Sequence, residues 1–166
     1  MCGSDCKMKI GMLGKPKKAI INAVSSEGET PLNAFDNCLL KLGIGDVSLV
    51  KLTSILPEDI EFTDKTTQLC PGSNVPAIYT YITSEKTGQK IAAAIVAAKT
   101  KNGPVLVAEY SNTDISANEA EKEAIKRVVE MAKNRKREIE GEIIVKSTEH
   151  IVKKCGCALA IIVEVE

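Results

Sequence analysis

Residues 49–58 form a short apolar segment that limits how the surrounding chain can fold. They read Leu-Val-Lys-Leu-Thr-Ser-Ile-Leu-Pro-Glu, and Gly45 precedes them by four residues. A short apolar run bounded by glycine and proline is typical of a buried strand, which we predict over residues 47–54. Thr53 and Ser54 place two adjacent hydroxyl groups at its end. Because a buried hydroxyl without a partner is costly, these groups either bond to nearby backbone or serve a chemical purpose.

Two helices are predicted from the residues that open them. Thr30 and Pro31 suit an N-cap and first helical position, and Gly43 suits the end of that helix. Its apolar stripe contains Leu32, Phe35, Leu39 and Leu42. Ser116 and Glu119 form a capping box, which opens a second helix that we predict to run to about residue 139.

The other segments predict a single mixed α/β domain over residues 19–166, preceded by a flexible arm over residues 1–18. Strands are predicted over residues 19–24, 75–83, 105–110, 143–151 and 158–165. A polar turn is predicted at residues 25–29 and a long loop at residues 57–74. Residues 90–98 fit either a helix, from their alanine content, or a strand, from their alternation.

Composition excludes several classes of function. Lys and Arg total 22 and Asp and Glu total 22, so the basic excess of a nucleic-acid-binding protein is missing. The longest apolar run has eight residues, too few to span a membrane, and we expect a cytoplasmic protein. Six cysteines accompany one histidine, His150. We expect free thiols, no metal site, and a structural, hydrogen-bonded histidine.

Several motifs together carry a family resemblance. Residues 25–36 read Ser-Ser-Glu-Gly-Glu-Thr-Pro-Leu-Asn-Ala-Phe-Asp, residues 43–45 Gly-Ile-Gly, and residues 52–57 Leu-Thr-Ser-Ile-Leu-Pro. With Ala-Glu-Tyr at 108–110 and Glu-His at 149–150, the chain resembles the pyruvoyl-dependent arginine decarboxylases of archaea and some bacteria from about residue 24 to residue 163. The resemblance implies an α+β fold, a layered αββα sandwich of two mostly antiparallel sheets with flanking helices and a self-cleaved chain. It also implies that residues 90–98 form a strand.

The resemblance implies a cofactor made from the chain itself. Decarboxylation of an amino acid needs a carbonyl group as electron sink, and here a covalent pyruvoyl group from Ser54 would replace pyridoxal phosphate. The Ser54 hydroxyl attacks the Thr53 carbonyl and the amide becomes an ester. Elimination and hydrolysis then cut the chain between Thr53 and Ser54, leave a ketone at position 54 and release ammonia.

The resemblance also implies roles in converting L-arginine to agmatine and CO2. Glu109 would be the general acid, since burial of a carboxyl group raises its pKa toward neutrality. Asp36 would meet the substrate guanidinium in a directional ion pair. The pocket walls would come from Leu32, Gly45, Val47 and Ile55. The implied assembly is a homotrimer of cleaved protomers, or a dimer of such trimers, with active sites between neighbouring subunits.

Ser48 departs from the pattern of the family, in which we expect asparagine near the cleavage site. Serine is shorter and offers one donor rather than two, so Ser48 is a candidate aid to processing, with either slower cleavage or a water in place of the longer side chain as the expected consequence. Two alternatives remain open from the sequence. The chain is a pyruvoyl decarboxylase for another amino acid, such as histidine, or it is an unprocessed partner subunit without activity.

Overall fold

A computed structural model describes residues 13–63 and 68–165 of the 166-residue chain. The two helices are α1 (Pro31–Lys41) and α2 (Ala117–Asn134). The strands are β1 (Lys18–Glu27), β2 (Ser48–Lys51), β3 (Ile55–Leu56), β4 (Glu61–Thr63), β5 (Asn74–Ser84), β6 (Lys90–Ala98), β7 (Val105–Thr113), β8 (Ile144–Ile151) and β9 (Gly156–Glu164).

The strands form two sheets that pack face to face. Sheet A has the order β2-β5-β9-β1-β4 and sheet B the order β3-β7-β6-β8. The pairs β1–β4 and β2–β5 are parallel and the other pairs are antiparallel. Helix α1 packs on the outer face of sheet A and α2 on the outer face of sheet B. This arrangement confirms the predicted layered sandwich of two mostly antiparallel sheets.

The core between the sheets is aliphatic. Ile21, Ile78 and Ile162 from sheet A meet Ile91 and Val107 from sheet B, and each is at most 5% exposed. Full burial of such a side chain stabilises the fold by about 1.5–3 kcal/mol. With aromatic residues at only 3% of the chain, shape complementarity of branched aliphatic side chains fills this layer.

Strand β6 is buried on both faces, and small side chains make this possible. Its residues from Ile91 to Ala98 are all at most 1% exposed. One face packs into the core between the sheets, and the other packs against the alanine-rich face of α2. The residues in this second contact are Ala92, Ala94, Val96 and Ala98 on β6 and Ala120, Ala124, Val128 and Ala132 on α2. Alanine on both elements lets the helix approach the sheet closely. The segment 90–98, which fitted either a helix or a strand, is therefore accommodated as a strand buried on both faces.

Helix α1 begins and ends as predicted. The Thr30 side chain accepts a hydrogen bond from the Asn33 backbone N–H at 3.2 Å, and Pro31 is the first helical residue. Gly43 follows the helix with a φ of 72°, a left-handed conformation that glycine adopts without strain. The predicted apolar stripe was wrong at Leu32, which is 73% exposed. The buried face instead contains Ala34, Cys38 and Leu39.

The prediction of a buried strand over residues 47–54 was wrong. Only residues 48–51 form a strand, β2, and it lies at the edge of sheet A with most of its residues exposed. Leu49 packs toward α1, whereas Val50 points away from it and is 37% exposed. The segment is apolar because its two ends belong to different sheets. The chain leaves sheet A after Lys51 and joins sheet B at Ile55.

Three other boundaries differ from prediction. The turn predicted at 25–29 was wrong for residues 25–27, which belong to β1. This strand pairs with β9 as far as the pair Glu27 and Gly156. The predicted loop 57–74 contains β4, which pairs with β1. Helix α2 ends at Asn134 rather than near residue 139, since Lys136 adopts a φ of 52° that ends the helical turn. Most of the predicted arm, residues 1–12, lies outside the described residues.

Glu27 joins three parts of the chain and accounts for much of the motif at 25–36. Its carboxylate lies 2.6 Å from His150 Nε2 and accepts backbone N–H bonds from Lys153, Lys154 and Cys155 at 2.7, 3.1 and 3.0 Å. Its carbonyl accepts a bond from the Asn37 amide at 2.9 Å. The hydrogen bond predicted for His150 is present, and its structural role stays a prediction.

Burial raises the pKa of Glu27, but the four hydrogen bonds outweigh burial and lower the pKa from 4.5 to about 2. Because the folded-state pKa lies below the unfolded value, Glu27 stabilises the fold above about pH 4.5. That contribution is lost as the pH falls from about 4.5 to about 2.

Glu27→Gln should destabilise the protein at pH 7 by about 2–3 kcal/mol, because the amide directs donors at N–H groups that need an acceptor. Chemical denaturation measures the change. Glu29→Gln is the matched control, since Glu29 is exposed and its partner in the described part of the chain is the exposed Lys154. It should cost at most about 0.5 kcal/mol. Equal losses for the two variants would contradict the role given to Glu27.

Candidate active site

The Thr53–Ser54 bond lies where the chain crosses from sheet A to sheet B, and both sides of it are anchored. The Leu52 N–H donates to the Ala77 carbonyl of β5 at 2.8 Å, and the Val107 N–H of β7 donates to the Ser54 carbonyl at 2.9 Å. Thr53 is exposed and Ser54 is half-buried. The bond between them is therefore accessible, and a cut there would leave each new end attached to a different sheet.

Glu109 lies close to this crossing. Ile55 pairs with Leu106 in antiparallel register, which places Ser54 opposite Val107. Glu109 is two residues further along β7, about 7 Å at the rise of an extended strand. Side chains alternate along a strand, and Val105 and Val107 belong to the core between the sheets. Glu109 therefore points to the same side as Val107, within reach of Ser54.

The environment of Glu109 raises the pKa of its carboxyl group. Burial raises its pKa, while the more distant charges of Lys51 and Arg127 lower it by a smaller amount. Among the described residues, no hydrogen bond or ion pair to its carboxylate is found. Arg127 instead donates to the Glu109 backbone carbonyl at 3.3 Å and stacks over the Tyr110 ring at 4.6 Å. The carboxyl group is thus free to exchange a proton with a bound molecule.

The predicted guanidinium partner, Asp36, is not brought to this place within one chain. It is exposed on α1. In the described part of the chain, α1 contacts β1, β5 and β9 but not β2, β3 or β7. Sheet A lies between this helix and the space into which Glu109 points.

The predicted site residues therefore form two groups. Thr53, Ser54, Ile55 and Glu109 gather at the crossing between the sheets. The others lie on α1, in the loop after it, or at the start of β2: Leu32, Asp36, Gly45, Val47 and Ser48. A Cβ at Gly45 would meet the Leu40 side chain at 2.4 Å, so a larger residue there would require that side chain to move.

Ser48 belongs to the second group. It is the first residue of β2, is exposed, and its N–H donates to the Ser73 carbonyl at 2.9 Å. Extended strand separates it from Lys51 by about 10 Å, and Thr53 follows two residues later. The Ser48 hydroxyl is therefore remote from the Thr53 carbonyl of its own chain.

Comparison with known proteins decides the family. The sequence model of the family described as pyruvoyl-dependent arginine decarboxylase matches residues 18–166. The chain belongs to this family. It is 43% identical over 150 residues to the pyruvoyl-dependent arginine decarboxylase of Thermococcus kodakarensis, covering 89% of this chain and 94% of the relative. The protein of the same name from Methanothermobacter thermautotrophicus is 40% identical over 146 residues, covering 88% and 95%.

A third decarboxylase of this name, from Methanocaldococcus jannaschii, is 42% identical over 151 residues and 87% of both chains. The residues at the crossing fit the pyruvoyl group that gives the family its name. A serine stands in an accessible bond, its carbonyl already accepts the Val107 N–H, and the Glu109 carboxyl group, which has no partner among the described residues, is near. Over residues 13–63 and 68–165, no cluster of three His, Cys, Asp or Glu side chains is arranged to hold a metal ion. No described helix is long and apolar enough to cross a membrane.

Several groups near the site had no signal in the sequence. The N–H of Val107 is a backbone group, so only the strand register shows that it faces Ser54. Arg127 is one charge among many on α2, and its position over Tyr110 depends on how the helix packs. Lys51 stacks over the Tyr79 ring at 4.7 Å, a contact that depends on the pairing of β2 with β5.

Arg127→Gln should raise the pKa of Glu109, because it removes a positive charge that favours the ionised carboxylate. Titration followed by NMR of the Glu109 side-chain carboxyl carbon measures this pKa. Arg135→Gln is the matched control: Arg135 lies at the far end of α2, where its guanidinium bonds the Met131 carbonyl, and its loss should leave the titration unchanged. A lower or unaltered pKa in Arg127→Gln would contradict this electrostatic assignment.

Proposed function

We propose that this protein decarboxylates L-arginine to agmatine and CO2, using a pyruvoyl group that forms from Ser54 when the chain cuts itself between Thr53 and Ser54. The placement of that bond is the observation that carries the proposal. It lies in the crossing between the sheets, anchored on both sides, with Glu109 facing it. The family and the three relatives named for this activity support the same reaction.

The two anchors suit a chain that is cut and then works as two pieces. Leu52 stays bound to β5 through its N–H, and residue 54 stays bound to β7 through its carbonyl. A held geometry of this kind lowers the entropic cost of bringing the Ser54 hydroxyl to the Thr53 carbonyl. The pyruvoyl group supplies the carbonyl that withdraws electrons as CO2 leaves.

Val107 and Glu109 would act on this site from β7. The Val107 N–H donates to the carbonyl of residue 54 and favours negative charge on that oxygen. Glu109, with a pKa raised by burial, would hold a proton and deliver it to the α-carbon of the substrate. Both groups lie on one strand with a fixed register, so their relative position does not depend on a loop.

Asp36 would reach the substrate from a neighbouring subunit. It is exposed on α1, and sheet A separates it from Glu109 within one chain. A homotrimer, alone or as a dimer of trimers, would place α1 and the start of β2 of one protomer against the crossing segment of its neighbour. Leu32, 73% exposed, and Ser48 would then contribute to the same pocket. We place this assembly in the cytoplasm.

Ser54→Ala should leave one uncut, inactive chain, because it removes the hydroxyl that attacks the Thr53 carbonyl. Denaturing electrophoresis of fresh and aged protein follows the cut. Thr53→Ala is the matched control: position 53 contributes its carbonyl, so this variant should still give two fragments. A cut Ser54→Ala chain would place the reacting serine elsewhere.

Asp36→Asn should lower kcat/KM for arginine by roughly 30- to 1000-fold, about 2–4 kcal/mol, since a buried guanidinium would lose its charged partner. Cleavage should be unchanged because it involves no substrate. The Glu109→Gln chain should also be cut. Its kcat should fall, while arginine should still bind. Steady-state CO2 release measures both variants. Wild-type efficiency in Asp36→Asn would refute the guanidinium assignment and favour a different amino acid as substrate.

A further inference from the structure

A cavity of about 340 Å³ lies beside the crossing segment, and of the predicted substrate-pocket residues only Ile55 lines it. Its walls are mainly apolar. They come from both sides of the Thr53–Ser54 bond and from the loop before β7: Leu52, Ile55, Leu56, Pro57 and Pro104. A volume near the lower end for ligand pockets suits a small molecule rather than a nucleotide or peptide.

One acidic side chain, Glu164, lines this apolar cavity. Glu164 is the last residue of β9, where Ala158, Ala160 and Ile162 face the core between the sheets. By strand alternation Glu164 lies on that face too. No hydrogen bond or ion pair within the described ranges reaches its carboxylate, and burial raises its pKa.

The nearest basic residue that lines the cavity does not neutralise Glu164. Lys15 stands in the segment 13–16, which forms one wall. Its ammonium group pairs with Asp59 at 3.1 Å. Glu164 is therefore a carboxyl group among apolar walls without a counterion among the described side chains. A partly buried carboxylate in this state is destabilised relative to water, and a bound cation would offset that cost.

We propose that this cavity binds a small organic cation with an aliphatic body, an alkylguanidinium or alkylammonium compound, with Glu164 as its counterion. The alkyl chain would pack on Leu52, Leu56 and Pro104, and the charged end would meet the carboxylate. Arginine and agmatine have this chemistry, so the choice of probe rests on the proposed function. The site is separate from Asp36, which lies on α1 across sheet A.

Binding here would act on the crossing segment. Leu52 and Ile55 stand on either side of Thr53 and Ser54, so a ligand packed against both would restrict the motion of the two ends. A product-like cation in this cavity would thereby couple the level of amine product to the geometry of the reacting bond.

Calorimetry on the full-length Ser54→Ala chain tests the proposal without turnover. Butylguanidinium should bind, and butylurea, its neutral counterpart of nearly the same shape, should bind at least tenfold more weakly. Adding the Glu164→Gln substitution should weaken the binding of butylguanidinium at least tenfold. Adding Glu142→Gln, at an exposed carboxylate outside the cavity, should leave that binding in place. Circular dichroism checks that each variant is folded.

NMR of labelled leucine methyl groups in the Ser54→Ala chain locates the ligand independently of Glu164→Gln. The Leu52 and Leu56 signals should shift on addition of butylguanidinium. Unshifted signals, equal binding of butylurea, or full affinity in folded Glu164→Gln would overturn the proposal. If Asp36→Asn alone abolishes binding, the cation is held at α1, and the cavity proposal fails while the proposed decarboxylation stands. If wild-type protein is never cut, the decarboxylation proposal fails while these binding results still decide the cavity.

Discussion

The crossing between the two sheets is the constraint on which the account of this protein depends. Three residues separate Lys51, the last residue of β2 in sheet A, from Ile55, the first residue of β3 in sheet B. One hydrogen bond fixes the chain before the Thr53–Ser54 bond and another fixes it after. The segment is held firmly at both ends yet lies outside regular structure. Such a segment can be cut without releasing either end, because each belongs to a separate sheet.

The rest of the fold supplies the rigidity that this arrangement needs. Strands β6 and β9 are buried in the middle of their sheets, so β7 and β5, which hold the crossing, rest on well-packed neighbours. Glu27 ties the end of β1 to the turn before β9 through His150 and three backbone N–H groups. The most distinctive stretch of the sequence, residues 25–36, therefore includes Glu27, which holds parts of the fold together by hydrogen bonds, as well as the predicted substrate contact at Asp36.

Local signals predicted the parts of the fold that depend on local interactions. The capping box at Ser116 and Glu119 and the cap at Thr30 fixed the starts of both helices, because these contacts join residues close in sequence. Alternation predicted β5, β7 and β8 well. It failed for residues 47–54, because an apolar segment that changes sheets resembles a buried strand. Helical spacing failed at Leu32, which the pattern placed on the apolar stripe of α1 but which faces outward.

The site could be predicted only in part, for a physical reason. Ser54 and Glu109 come together through strand register, which the chain sets by pairing Ile55 with Leu106, 51 positions away. Asp36 and Ser48 lie away from this crossing in the same chain, and the part proposed for them in the site requires a second copy. The cavity at Glu164 gave no sequence signal, since a glutamate at a strand end is usually solvated.

Intact mass spectrometry of the purified wild-type protein under denaturing conditions tests the central claim most directly. Self-cleavage at this crossing predicts two species, one ending at Thr53 and one beginning at position 54 without a free amino group. Their masses should sum to that of the full chain plus one water minus one ammonia. A single species with the mass of the uncut chain, from protein that nevertheless releases CO2 from arginine, would contradict the account.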